Sequence, residues 1–523
     1  MMEKWESKNK FMFLIGTEFH PYSLYLRPII EKYTNIEAPA FYRLETDALL
    51  GRRVGRDFEC IFDEDLNSID KSSQYKLIAL FAYFLGTFIS LFAVSYIFAI
   101  SFMKKIMGNK SFFYNFLRVS LNGIVIGDCI CSWFLRAYSP NGKLIVNGDL
   151  VKVAWRYGSH FYAINIFLTL IKFFYKKTGG YFITQEITYL DELKRRILLK
   201  KNYTELRLNY STGSFLPYEK KSEFHSVAAE EFNAISINNI DYKLADQVLR
   251  KFVYREDKYL QLEDCDVSHE VRLDLGGLKN RQLGKNKKTA VIFLHQISDA
   301  AYLFGVDCFD DLHHWMIESI RILSTLNFLI IIKIHPAYFS KKLTYPIDIK
   351  YAKFLEEIFG VNFNSMSQTK IHSTLFSNVY FVHHAIPALE LSRCFPDFLC
   401  ITHHGTVACE ASYLGHTVLV SNASPYCKRN KFVKIYQSTL EYGLLIEAWI
   451  NGGLKQDDCS KATLLEYFMN RSNPFNMEQK LASFRKFLGF SRESHDDFLY
   501  FINHICRGSS DYHKIISYLK KAI

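Results

Sequence analysis

"FLCITHHGTVACEASYLGHTVLV", residues 398–420, begins as a buried strand and ends as another. Four apolar residues, 398–401, run into the polar cluster Thr402-His403-His404-Gly405-Thr406. A helix-like stretch carrying Glu410 follows, then Gly415, then the second apolar run, residues 417–420. Strand, polar turn, helix and strand in that order make a unit of a parallel α/β sheet. In open sheets of this kind ligands bind beyond the carboxyl ends of the strands. The cluster therefore stands where a ligand site is expected.

Working outward, residues 289–294 (TAVIFL), 328–334 (FLIIIKI) and 378–382 (NVYFV) read as further strands. Continuous apolar strands predict a sheet covered by helices on both faces. Residues 309–325 have helical periodicity, with Leu312, Trp315, Met316, Ile320 and Leu323 on one side. The polar, glycine-containing stretch 271–288 reads as a linker. This predicts a first domain over 1–270, a second over 289–445 and a helical segment over 446–523. Residues 11–16 (FMFLIG) read as the first strand and 22–33 as the helix after it.

Three strands of the second half end in polar residues. The first ends in His295-Gln296-Ile297-Ser298-Asp299, the second in Lys333-Ile334-His335-Pro336, and the third in the opening cluster. A single strand-end histidine is ordinarily a surface residue or a cap, and Asp299 alone reads as a helix N-cap. Three such clusters on one sheet edge point to a ligand. Gly405 permits close backbone approach, and Thr406 sits where a helix start favours an anion. Lys333 and His335 add phosphate donors, and Glu410 can accept from a ribose diol. Together these describe a nucleotide site. Neither G-x-x-x-x-G-K-[ST] nor G-x-G-x-x-G occurs, which argues against an ATPase or a dehydrogenase.

His-Gly-Thr, then Glu, then Gly before a strand resembles the nucleotide-sugar site of GT-B glycosyltransferases. The ordered set FLHQISDA (293–300), HHWMIESI (313–320), IIKIHP (331–336), THHGTVACEASYLG (402–415) and SPYCKRN (424–430) is similar to bacterial capsule and surface polysaccharide biosynthesis proteins. That group includes 3-deoxy-manno-octulosonate transferases, which use CMP-activated donors. GIVIGDCICSWFLR (123–136) resembles the family's Gly-Asp segment ahead of an arginine. The resemblance implies two Rossmann-like domains facing a cleft, a GT-B-like fold. It implies a nucleotide-sugar donor whose phosphate is held by His335 and the Gly405–Thr406 turn, and a glycan or glycolipid acceptor; Asp299, Lys333, His404 and Glu410 complete the candidate donor site. His403-His404 departs from the serine or glutamine more usual there. The alternatives are a GT-B-type epimerase, a polyol-phosphate transferase, or a non-catalytic scaffold of polysaccharide assembly.

In such a fold the first domain supplies the acceptor side and the catalytic base. Asp128, after the apolar segment 124–126, is the first candidate, with an N-cap as the plainer reading. Glu186 is the second candidate. Arg136 is placed to hold an acidic acceptor or to pair with Asp128, and Lys194-Arg195-Arg196 reads as a solvated helix face. No Asp-x-Asp pair stands out as a metal site, so no obligatory metal and no cofactor are expected.

A net charge of +11 over 523 residues suits an anionic partner, yet no compact basic arm points to nucleic acid. Eleven cysteines without C-x-x-C spacing suit a reducing, cytoplasmic setting; Cys129 and Cys131 read as buried strand thiols. Residues 77–103 carry no charged side chain and are long enough to cross a bilayer. If the first strand pairs with strands after residue 120, a single span would separate the two across the membrane. A buried helix, or one dipping into a single leaflet, avoids the conflict, and the expectation is a protein peripheral to the inner face of the membrane.

Overall fold

The structure, a computed structural model, describes residues 11–15, 41–43, 69–108, 111–175, 180–184, 189–209, 214–218, 253, 279–280, 287–297, 302, 307–335, 338, 346–361, 363, 371–372, 378–382, 386–405, 407–424 and 432–454. The helix expected over 22–33, most of the linker 271–288 and the segment from 455 onward lie outside them.

Two sheets organise the chain. The first joins β1 (Phe11–Ile15), β2 (Phe41–Arg43), β5 (Gly180–Thr184), β6 (Thr204–Asn209) and β7 (Ser214–Tyr218) in the order β2-β1-β5-β6-β7. All its neighbours are parallel except the last pair. The first strand of the sequence thus pairs with one that follows residue 120, which meets the condition set above.

The second sheet contains β8 (Thr289–Phe293), β9 (Leu329–Lys333), β10 (Ile371–His372), β11 (Val379–Val382), β12 (Phe398–Thr402), β13 (Val418–Ser421) and β14 (Lys434–Tyr436). Its order is β10-β11-β9-β8-β12-β13-β14, with only the edge strand β10 antiparallel. Numbering the six parallel strands from β8 gives 3-2-1-4-5-6, the doubly wound dinucleotide-fold order. Every residue of β8, β9, β11, β12 and β13 is buried, which is why the sequence reads there as unbroken apolar runs. The chain is thus mixed α/β with two sheets, the second of doubly wound, Rossmann-like order.

Helices α6 (Leu312–Thr325), α7 (Pro346–Phe359), α8 (Ala388–Cys394), α9 (Val407–Tyr413) and α10 (Thr439–Ile450) belong to the second sheet. Asp311 caps α6 by accepting from His314 N at 2.7 Å. Its other carboxylate oxygen accepts from Leu144 N at 3.0 Å, so one side chain caps a helix and joins the two halves. Tyr302 N donates to Ser132 Oγ at 3.3 Å across the same junction.

The first half adds α1 (Ile69–Met107), α2 (Phe112–Phe116), α3 (Gly127–Tyr138), α4 (Gly148–Tyr175) and α5 (Tyr189–Lys200). Helices α1 and α4 form an antiparallel pair. A Cβ on Gly86 would meet Ala163 N at 2.5 Å, and one on Gly158 would meet Ser90 Cβ at 3.2 Å. Ser90 and Ser159 hydroxyls meet at 2.9 Å between them. Small residues let the two backbones approach closely.

Three expectations need correction. The segment 124–126 is not a strand of the main sheet: β4 (Ile124–Val125) pairs only with β3 (Ser120–Leu121) in a small hairpin. Cys129 and Cys131 are buried, but on α3, and burial raises both thiol pKa values. Lys194, Arg195 and Arg196 are buried, not solvated. Acidic residues one turn away make this possible: Asp191 pairs with Lys194 at 2.8 Å and Glu192 with Arg196 at 2.7 Å.

Candidate functional site

The strand order reverses between β8 and β12, and three histidine-bearing strand ends meet there. His295 follows β8, His335 follows β9, and His403 and His404 follow β12. The His295 ring lies 3.6 Å from that of His404 and 6.1 Å from that of His335, measured between centroids. Tyr338 braces the turn after β8 by donating to His295 O at 3.2 Å and accepting from Ile297 N at 3.1 Å. Gln296 donates to Asp348 at 2.8 Å and holds the same turn against α7.

Behind the rings runs a chain of polar contacts. His403 Nε2 lies 2.7 Å from Asp307 Oδ2, and His403 Nδ1 lies 2.6 Å from His404 Nδ1. Ser421 Oγ donates to the same Asp307 oxygen at 3.0 Å. All four side chains are buried. A carboxylate beside Nε2 favours the His403 tautomer protonated there. Nδ1 of His403 then accepts from Nδ1–H of His404, and the Nε2 of a neutral His404 becomes a proton acceptor. Burial lowers the His404 pKa well below its ordinary value, and the neighbouring His295, His403 and His335 add to the shift. The shift keeps the imidazole neutral and able to accept a proton, as a weaker base than an ordinary histidine.

The other expected donor residues divide. Lys333 ends β9 with a buried side chain, while His335 is partly exposed. A Cβ on Gly405 would meet Thr402 Oγ1 at 2.9 Å, so the turn there has no room for a side chain. Glu410 is half-buried in the first turn of α9. Asp299, Thr406 and Glu186 lie outside the described residues. Sequence reading passed over Asp307, which lies 96 residues from His403 and reaches it only through the fold.

Asp128 differs from its expected setting. It is 1 % exposed, and its two oxygens accept from Arg196 Nη1 and Nη2 at 2.8 and 2.6 Å. Arg196 also donates to Val125 O at 2.5 Å. Because 124–126 forms a hairpin and not a sheet strand, this carboxylate faces an arginine inside the first half. Arg136 does not make that pair; its guanidinium lies over the Tyr189 ring at 4.7 Å. Among the described residues, no group of three or more His, Cys, Asp or Glu is arranged to hold a metal ion.

No protein-family model and no curated protein matches the chain. Among solved structures it is similar to UDP-GlcNAc 2-epimerase from Neisseria meningitidis bound to UDP-GlcNAc, at 12% identity over 89% of this chain and 94% of that one. The TM-score is 0.26, at which the likeness carries no argument about ligand or reaction.

Proposed function

We propose that the chain is a sugar-active enzyme of GT-B type. It binds a nucleotide-activated sugar at the strand ends of the second sheet and transfers the sugar to a glycan or glycolipid in surface-polysaccharide biosynthesis. The observation that supports this is the meeting of His295, His335 and His404 at the point where the 3-2-1-4-5-6 order reverses. His335 is the partly exposed donor for a phosphate, and the turn at Gly405 permits close backbone approach. His404, set in one tautomer by His403 and Asp307, takes the proton from the attacking hydroxyl. The resemblance in the motifs favours a CMP-linked donor.

Among the described residues, the proton-accepting chain runs through 307, 403, 404 and 421, all in the second half. That observation also favours a second reading, epimerisation of the nucleotide sugar, which needs no acceptor. One experiment separates the two. The purified full chain is screened with CMP-, UDP- and GDP-sugars by thermal shift, and the binding donor is then incubated in deuterated water. Transfer releases nucleotide only when a glycan or glycolipid acceptor is added. Epimerisation places deuterium in the sugar with no acceptor. No shift with any donor, in a folded protein, removes both readings.

A further inference from the structure

We infer that α1 lies flat on an anionic bilayer, its outer face sunk into one leaflet, independently of the reaction catalysed at the histidine cluster. The helix has 39 residues, and Leu80–Met107 is apolar enough to cross a membrane. Its inner face, with Ala82, Ser90, Ala93, Val94 and Ile97, is buried. Its outer face carries Phe81, Phe84, Phe88, Phe92 and Phe102, exposed by 55–68%. At 150–250 Å² per aromatic side chain, these five alone leave about 600 Å² of apolar surface in water, at or above the largest patch of a typical soluble monomer.

The fold rules out a span. Helix α5 packs against β1, which precedes α1, and against α3 and β4, which follow it. Arg196 of α5 fixes this by bonding both Asp128 and Val125 O. With 12 residues α5 is about 18 Å long, less than the roughly 30 Å hydrocarbon layer. The chain before and after α1 therefore lies on one side of any bilayer.

Charge identifies the occupant. Lys104 and Lys105, both exposed, end the apolar face at one side. At the other, the antiparallel packing brings the last turn of α4, with exposed Lys172 and Phe173, toward the start of that face. Lysines flanking an aromatic stripe fit an interfacial helix whose ammonium groups meet anionic headgroups while the rings enter the acyl boundary. A net charge of +11 adds to the attraction.

The test is flotation of the full chain with sealed vesicles of phosphatidylcholine alone and of phosphatidylcholine with phosphatidylserine. Binding is expected to the anionic vesicles, and to weaken with salt. The triple variant Phe84→Asp/Phe88→Asp/Phe92→Asp, at exposed positions, is expected to keep wild-type circular dichroism and lose at least about tenfold of the bound fraction. Lys104→Ala/Lys105→Ala should lower binding only to anionic vesicles. Three results overturn the inference: no binding by folded wild type, equal binding by the triple variant, or a dimer in solution that the triple variant dissociates while wild type ignores vesicles.

Discussion

Arg196 and Asp128 form a two-pronged ion pair sealed from solvent, tying α5 to the first turn of α3. Glu192 shares the same guanidinium, and Arg195 lies 3.6 Å from that glutamate. Removing one member of a buried pair leaves the other charged and uncompensated. Asp128→Asn is therefore expected to lower stability by about 3 kcal/mol in a denaturant titration. A variant as stable as wild type but without turnover would return Asp128 to the role of base.

Asp307 lies 2.7 Å from His403 Nε2, and in the proposed site it would act through that ring, as a positioning residue. Asp307→Asn keeps the shape and the room for the Ser421 hydroxyl but removes the charge that selects the His403 tautomer. Turnover should fall by about 10²-fold or more, with donor affinity nearly unchanged. The acidic limb of the pH–rate profile should also shift, which a purely structural defect would not produce. An unaltered profile would take Asp307 out of the chain.

Four buried histidines set the response to acid. Burial is the leading cause in each: His160 falls to about 3, His313 and His416 to about 4, and His404 well below its ordinary value. These groups stay neutral in the folded chain while the unfolded chain takes up protons below pH 6.5. Their contribution is thus complete above that pH and is lost as pH falls toward the folded values. Each adds a slope of up to about 1.4 kcal/mol per pH unit. Urea titrations at pH 7.5, 6 and 5 should show the decline. Among the described residues, neither ring nitrogen of His160 has a hydrogen-bond partner, so His160→Phe should flatten the decline at little cost at neutral pH.

Gly86 faces the backbone of Ala163, and any added Cβ must push α1 from α4. Gly86→Val is expected to cost about 1–3 kcal/mol, as overpacked contacts do. Thermal denaturation measures it, and an unchanged midpoint would contradict the close packing of the pair.

The second sheet was legible because strands buried on both faces are apolar along most of their length; residues 290–294, 328–332 and 398–401 carry that mark without interruption. The histidines were legible as strand ends. Their linkage through Asp307 was not, since no spacing in the chain marks a partner 96 residues away. Asp128 misled because an apolar run does not reveal what it pairs with, and 124–126 pairs only with its own hairpin arm. The basic run 194–196 misled for a related reason: carboxylates at 191 and 192 neutralise it within one turn, so it can be buried.

Pairing of β1 with β5 joins Phe11 to Gly180, 169 residues further on. During synthesis at 5–20 residues per second, the first strand therefore waits roughly 8–34 seconds for its neighbour to be made. The aromatic face of α1 emerges within that interval, before α4 exists to cover its other side. On the inferred membrane contact, an early encounter with a bilayer would hold both apolar surfaces apart from other nascent chains, and the order of translation would then make membrane supply a determinant of how much protein reaches the folded state.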